Sequence, residues 1–236
     1  MSLTSRGQRA GVRVVGALSR RTLGLEFDDL LALGCDVIRQ VDPATAAVAL
    51  TFDDGPSTHA TPAILDLLDR HGARATFFMI GENAARHPGL VREVAARGHA
   101  IGSHGHQHLD CHWTPPWQIA RDLRRCKETL EDLVGAPIEA FRAPFGHFRW
   151  DVKPIARRLG VSRLVGWNVA PAWNETSPAR IVDYVGARAT AGSIVLLHDA
   201  TGLTGADADG CNRAVVAALD PLLGALRQRG FGFTVV

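Results

Sequence analysis

Thr51-Phe52-Asp53-Asp54-Gly55-Pro56-Ser57 is the stretch that organises the reading of this chain. It follows an apolar run, Ala46 to Leu50, whose flanking turn residues mark it as a buried strand. Gly55-Pro56 ends that strand abruptly and leaves two adjacent carboxylates at its C-terminal edge. Consecutive strand side chains point to opposite faces, so Asp53 and Asp54 are expected in different environments. That arrangement suits a division of labour, one carboxylate on a metal and the other moving protons. A bare Asp-Asp-Gly is also what a solvated turn looks like, so the weight falls on the rest of the sequence.

With 236 residues, 46% of them apolar, the chain can bury a sizeable core as one α/β unit. Its 26 basic and 24 acidic side chains leave a formal charge of +2, too balanced for nucleic acid or an anionic membrane to be the main partner. Arg6, Arg9, Arg13, Arg20 and Arg21 dot the N-terminal stretch, which has no apolar run of signal-peptide or membrane-spanning length. The expected location is therefore the cytoplasm. Cys35, Cys111, Cys126 and Cys211 are scattered, without a Cys-x-x-Cys pair, which fits reduced thiols. No oligomeric state is prescribed.

Leu25, Leu30, Leu31, Leu33 and Ile38 recur at helical spacing and predict a helix over 24–40. Further helices are expected over 61–70, with Pro62 in the first turn, and over 88–97, 116–134, 152–159 and 213–229. Between them, strands are expected at 75–80, 99–102, around Phe141, and at 164–167, 193–197 and 231–236. Alternation of this kind argues for a parallel sheet covered by helices, which can close into a barrel. Catalytic groups in such folds gather at the C-terminal ends of strands. Asp53-Asp54, His104, Arg142, Trp167 and His198 each follow a different predicted strand.

Gly102-Ser103-His104-Gly105-His106-Gln107-His108 places three histidines within five residues. His104 and His108 are four apart, so one turn of helix would aim both at a common point. In an extended segment the pair would be His104 and His106 instead. His108 and His112 also have helical spacing. Two imidazoles and a carboxylate leave one position for water, the usual arrangement of hydrolytic zinc. Cys111, beside His108 and His112, is weighed as a ligand and set aside.

At these motifs the chain resembles the polysaccharide deacetylases, the NodB-like catalytic domain of the carbohydrate esterases. The family opens with Thr-Phe-Asp-Asp-Gly-Pro, matched by residues 51 to 56. Its His-x-x-x-His is matched by His104 and His108, its Arg-x-Pro-aromatic-Gly by Arg142 to Gly146, and its Leu-x-His-Asp by Leu196 to Asp199. The resemblance covers residues 44–236 and leaves 1–43 as an N-terminal extension. It implies a distorted (β/α) barrel and metal-assisted hydrolysis of an acyl group. It implies that Asp54, His104 and His108 hold Zn²⁺ or another divalent ion such as Co²⁺, Ni²⁺ or Mn²⁺. It implies Asp53 as the general base, oriented by Arg142, and His198 as the acid that protonates the departing amine or alcohol. Backbone N–H groups near Phe145 would steady the oxyanion, and Leu196 and Trp173 would line a pocket for the acyl methyl.

The departures bear on the substrate. The family's fourth motif is Trp-x-x-Asp-x-x-Asp-Trp, whose first Asp orients the acid histidine. Here Trp167-Asn168-Val169-Ala170-Pro171-Ala172-Trp173 is one residue shorter and has alanine for both acids. A histidine without its carboxylate is less basic and less well oriented, so the expectation is slower leaving-group protonation or a substitute partner among Asn168, Asn174, Glu175 and Asp199. Gly105 stands where a Ser or Thr usually follows the first metal histidine, and that removes a hydroxyl able to brace the site. His106, His112 and His147 are extra imidazoles. Without a leader, a small N-acylated amine is the expected substrate, an amino sugar or natural-product intermediate rather than an extracellular polymer. Two other readings are a changed reaction on the same metal site (cyclisation, elimination or isomerisation) and a non-catalytic carbohydrate- or metabolite-binding domain.

Overall fold

The strand ending at the paired aspartates is Ala47–Asp53 (β1), buried along its whole length. The structure is a computed structural model and describes residues 34–200 and 213–236. After β1 come helix Ala60–Arg70 (α1), strand Thr76–Met79 (β2), helices Gly81–Arg86 (α2) and Pro88–Ala96 (α3), and strand Ala100–Ser103 (β3). Next are the long helix Pro116–Val134 (α4), strand Ala140–Phe141 (β4), helix Val152–Arg158 (α5) and strand Arg163–Leu164 (β5). Helix Pro178–Arg188 (α6), strand Ile194–His198 (β6), helix Arg213–Gln228 (α7) and strand Gly232–Thr234 (β7) complete the described chain.

All seven strands are parallel, in the order β5-β4-β3-β2-β1-β6, with β7 paired to the start of β1. The outer edges of this curled sheet, β5 and β6, do not pair directly. A short extended segment closes the gap: Ile38 bridges Val165, and Gln40 bridges Ser193. Val169, beyond β5, bridges Val195 of β6. The distorted (β/α) barrel expected from the motifs is therefore the observed architecture. The expected helix over 24–40 is not found in its described part, because residues 38–41 give their backbone groups to both sheet edges: Ile38 N–H to Leu164 O at 2.8 Å, Val41 N–H to Gly192 O at 2.9 Å. The remainder of that expectation lies outside the described residues.

Period-two alternation sorts the side chains into two layers. Val48, Leu50 and Phe52 of β1, Phe77 and Met79 of β2, and Val195 and Leu197 of β6 face outward into the apolar layer beneath the helices. Ala49, Phe78, Ala140, Val165 and Ile194 face inward and fill the barrel. Phe52 stacks on Phe77 with ring centroids 5.1 Å apart.

Most helix bounds fall within a residue or two of expectation, but α2 and α6 were not anticipated. The α6 start did carry a readable signal, since Ser177 accepts from Arg180 N–H and Pro178 opens the first turn. No helix among the described residues is long and apolar enough to cross a membrane. Phe52→Ala is expected to destabilise the protein by about 3–5 kcal/mol in urea denaturation, because Phe52 is fully buried between sheet and helices. A loss under about 1 kcal/mol would show that this layer is not the folding core.

Candidate metal centre

The inward-facing positions of four strands meet at one mouth of the barrel. Asp53 ends β1 and His198 ends β6, and the two are direct partners in the strand register. His104 lies two residues beyond Gly102 of β3, and Arg142 two beyond Ala140 of β4, so both continue the inward-facing series. Gly102 matters for this packing, because a Cβ there would lie 2.5 Å from the Phe78 ring.

Asp54 does not follow the alternation. Its φ of 80° takes the chain off the strand into the left-handed region and returns its carboxylate to the same mouth. Asn83 Nδ2 donates to Asp54 O at 2.8 Å, and Asp54 N–H to Phe78 O at 3.2 Å, which hold the turn. The expectation of separate environments for Asp53 and Asp54 is thereby corrected. His104 Nε2 lies 3.8 Å from Asp53 Oδ2 and 3.4 Å from Asp54 Oδ1.

The second imidazole also arrives by a different route than expected. Residues 104–108 are not helical; Gly105 at φ 78° and His108 at φ 54° fold the loop back on itself. His108 Nε2 comes to 3.2 Å from Asp54 Oδ1. The ligand atoms of Asp54, His104 and His108 all lie within 4.8 Å of one another.

This donor set fits a divalent cation. His104 Nδ1 sits 2.8 Å from the Arg142 carbonyl, so it carries the ring proton, and the lone pair of Nε2 points at Asp54. Asp54 Oδ1 is buried and has no hydrogen-bond partner. Burial works to raise the Asp54 pKa, but positive charge at the imidazole positions outweighs it and holds the carboxyl well below the usual carboxylate range, so the pocket favours a cation there. Lone pairs converging on a buried carboxylate repel one another unless a cation sits between them. The histidine–carbonyl bond is also the kind of outer contact that fixes a metal-binding tautomer.

Beside this trio, Arg142 Nη1 donates to Asp53 Oδ1 at 2.7 Å, leaving Asp53 Oδ2 turned toward the donor atoms. His198 Nε2 approaches from the other side, 4.0 Å from Asp54 Oδ2. Phe145, at φ 61° in the 3₁₀ turn Pro144–Gly146, sets its ring edge-on to His108 at 4.6 Å. Leu196 is buried on β6, two residues before His198, and Trp173 is 71% exposed.

None of the expected stand-ins takes the place of the missing acid beside His198. Asn168 Oδ1 accepts from Ile194 N–H, and Glu175 Oε1 accepts from Ser177 N–H. Asn174 is exposed. Asp199 is buried under the Asp-Asp turn, where it accepts from Thr61 Oγ1 at 2.5 Å and a Cβ on Gly55 would overlap its carboxyl group. Burial pushes the Asp199 carboxyl up to about 7, against the Thr61 hydrogen bond and helped by the Asp54 charge.

The extra histidines stand apart from this centre. His106 turns its Nδ1 toward Gly81 and has no hydrogen-bond partner there. His112 and His147 stack in parallel at 4.1 Å, with Asp110 Oδ1 2.9 Å from His147 Nδ1. Two parallel imidazole planes cannot both contain one ion, so this second trio is not built as a metal site. Cys111 is buried among apolar side chains, and burial drives its thiol pKa far up. Three braces around the centre carry no motif of their own in the sequence: Asn83, Thr61, and Asp122, whose carboxylate accepts from His106 N–H and Gln107 N–H.

A curled parallel barrel with an Asp–His–His donor set beside a carboxylate–arginine pair is the frame of a metal-dependent acyl hydrolase. The family profile described as polysaccharide deacetylase matches residues 40–164. The chain belongs to that family and is a deacetylase acting on C–N bonds other than peptide bonds. It is similar to a peptidoglycan-N-acetylglucosamine deacetylase of Bacillus cereus, 36% identical over 192 residues, covering 80% of this chain and 85% of the relative. A chitooligosaccharide deacetylase of Rhizobium leguminosarum bv. trifolii is 37% identical over 190 residues, covering 78% and 87%. Among solved structures, the Bc1960 peptidoglycan N-acetylglucosamine deacetylase superposes with a TM-score of 0.77 at 30% identity, covering 84% of this chain and 89% of that one.

Asp54→Asn, His104→Ala and His108→Ala are each expected to lower bound metal, measured by elemental mass spectrometry, while Asp53→Asn retains it. Equal metal loss in Asp53→Asn and Asp54→Asn would sink the division of roles. For Asp199, the unfolded chain releases its proton near the ordinary Asp value, whereas the folded protein keeps it to about 7. This group therefore makes the metal-free protein less stable as pH rises between about 4 and about 7, with no further change above. Asp199→Asn is expected to flatten that slope in urea denaturation under EDTA; an unchanged slope would place the effect elsewhere.

Proposed function

We propose that the chain removes acetyl groups from N-acetylglucosamine units of an oligomeric or polymeric glycan, with Zn²⁺ as the ion held by Asp54, His104 and His108. The observation that carries the substrate class is the distribution of exposed aromatics. Trp113 and Trp117 lie between β3 and the first turn of α4, Phe145 and Trp150 between β4 and α5, and Trp173 between β5 and α6. These five are all the large exposed aromatic side chains among the described residues, and each lies on a segment that leaves the C-terminal end of a strand. Exposed apolar surface concentrated on one rim marks a binding face, and flat indole rings suit the C–H faces of pyranose sugars. A small N-acylated amine needs no such rim. The relatives named for peptidoglycan and chitooligosaccharide support the same reading, and they give none to a small soluble amide.

Bound in that position, a divalent ion supplies a Lewis acid for the acyl carbonyl and a water of lowered pKa. The chain's own groups do the proton work. Asp53, held by Arg142, takes a proton on Oδ2, the oxygen turned toward the donor atoms. Its second oxygen is engaged by the guanidinium, which keeps the carboxylate aimed. His198, across the mouth, gives a proton to the departing amine.

Acetate release from a chitooligosaccharide series is the direct test, and no release from any glycan, with metal bound, would overturn the reading. His198→Ala is expected to lower kcat at least tenfold, about 1.4 kcal/mol of barrier. Ala170→Asp, which returns an acid to the family position, is expected to raise kcat in the parent but not in the His198→Ala background. Trp113→Ala and Trp150→Ala are expected to raise KM for long oligomers more than for short ones; equal effects at every length would remove the rim from substrate binding.

A further inference from the structure

The loop carrying the second metal-site imidazole is neither helix nor strand, and it passes twice through the left-handed region, at Gly105 and His108. Nothing in such a backbone fixes the separation of its two imidazoles by itself. Neighbouring elements do so from two sides. The first turn of α2 holds the carbonyls: Gly81 N–H donates to Gly105 O at 3.0 Å and Glu82 N–H to His106 O at 3.1 Å. The amides are held by one side chain, Asp122 of α4. Its Oδ2 accepts from His106 N–H at 2.7 Å and its Oδ1 from Gln107 N–H at 2.9 Å. Gly105 is what admits the carboxylate so closely, because a Cβ there would lie 2.7 Å from Asp122 Oδ2.

We propose that Asp122 is a positioning residue for the metal site: its carboxylate clamps the main chain between His104 and His108 and so sets the spacing of the two imidazoles. The hydroxyl expected after the first metal histidine is absent from this chain, and a carboxylate from the following helix occupies the space that glycine leaves. The clamp touches no ligand atom. It acts through two charge-assisted hydrogen bonds on consecutive amides, which restrict the loop at its midpoint. The proposal rests on Asp54, His104 and His108 being the metal site.

The test is Zn²⁺ affinity, measured by competition with a chromophoric chelator on the full chain, together with the Tm of the metal-free protein. Asp122→Ala is expected to raise the Zn²⁺ Kd about 10–100-fold, as loss of an outer contact typically does. Activity should return toward the parent value with excess Zn²⁺, at unchanged KM for a chitooligosaccharide. Asp122→Asn keeps one acceptor oxygen for two amides and is expected to lie between parent and alanine variant. Gly105→Ala, which drives a methyl group into the carboxylate, is expected to weaken Zn²⁺ binding as well. A merely structural role would lower the metal-free Tm while leaving the Kd of folded protein at the parent value, and that result overturns the proposal. Should Asp122→Ala fail to fold, a parent-like Kd in Asp122→Asn overturns it equally. A parent protein that binds no Zn²⁺ would overturn the metal site itself, and with it the role of Asp122, independently of any acetate measurement.

Discussion

Arg142 is the largest fully buried side chain described, and its charge is what the barrel is assembled around. Taking a guanidinium out of water costs several kcal/mol, which only close pairing and complete hydrogen bonding offset. Here Nη1 donates to Asp53 Oδ1 and Thr51 Oγ1, both at 2.7 Å, Nη2 to Gly166 O at 2.8 Å and Nε to Val165 O at 3.3 Å. The guanidinium also lies over the Phe78 ring at 4.1 Å. One side chain on the β4 exit thus ties β1, β2 and the end of β5 together. Removing its carboxylate partner would strand a buried charge, so the base of the proposed reaction is also part of what holds the barrel mouth closed.

The same economy runs through the ligands. Arg142 contributes its backbone carbonyl to His104 Nδ1 while its side chain holds Asp53. The proposed metal ligand and the proposed base are therefore oriented by one residue, from main chain and side chain respectively. Asp54 reaches the centre only because its backbone turns left-handed, a conformation few non-glycine residues adopt. The surrounding bonds from Asn83 and to Phe78 over-determine that turn.

Strand–helix alternation and the five strand ends were legible in the sequence because they rest on apolar periodicity and on punctuation by glycine and proline. What stayed hidden depends on contacts between distant segments. The left-handed turn at Asp54 breaks the alternation rule that the strand pattern suggests, and the histidine loop is shaped by α2 and α4 rather than by its own four-residue spacing. The closing segment 38–41 reads as helical from its apolar residues, but pairing with two sheet edges overrides local preference. Asp122 did leave a trace: it lies on the stripe of α4 that buries Ile119, Leu123 and Cys126, where a carboxylate needs a partner. The short, alanine-substituted motif Trp167–Trp173 is plain in the sequence, but its consequence is not, since Asn168, Glu175 and Asp199 bond elsewhere than to His198.

The segment 38–41 gives the barrel its last stave, made from residues that precede the first long strand. Its removal would uncover two parallel edges at once, β5 with its continuation at Val165 and β6 at Ser193. The first would lose the partners of the Leu164 carbonyl and the Gly166 amide, the second that of the Gly192 carbonyl, and unpaired edge groups of this kind are where chains pair with one another. Boundaries for a soluble fragment are thus set by edge protection rather than by where the catalytic motifs begin. A fragment cut just before β1 would keep the complete donor set and leave those edge groups without partners.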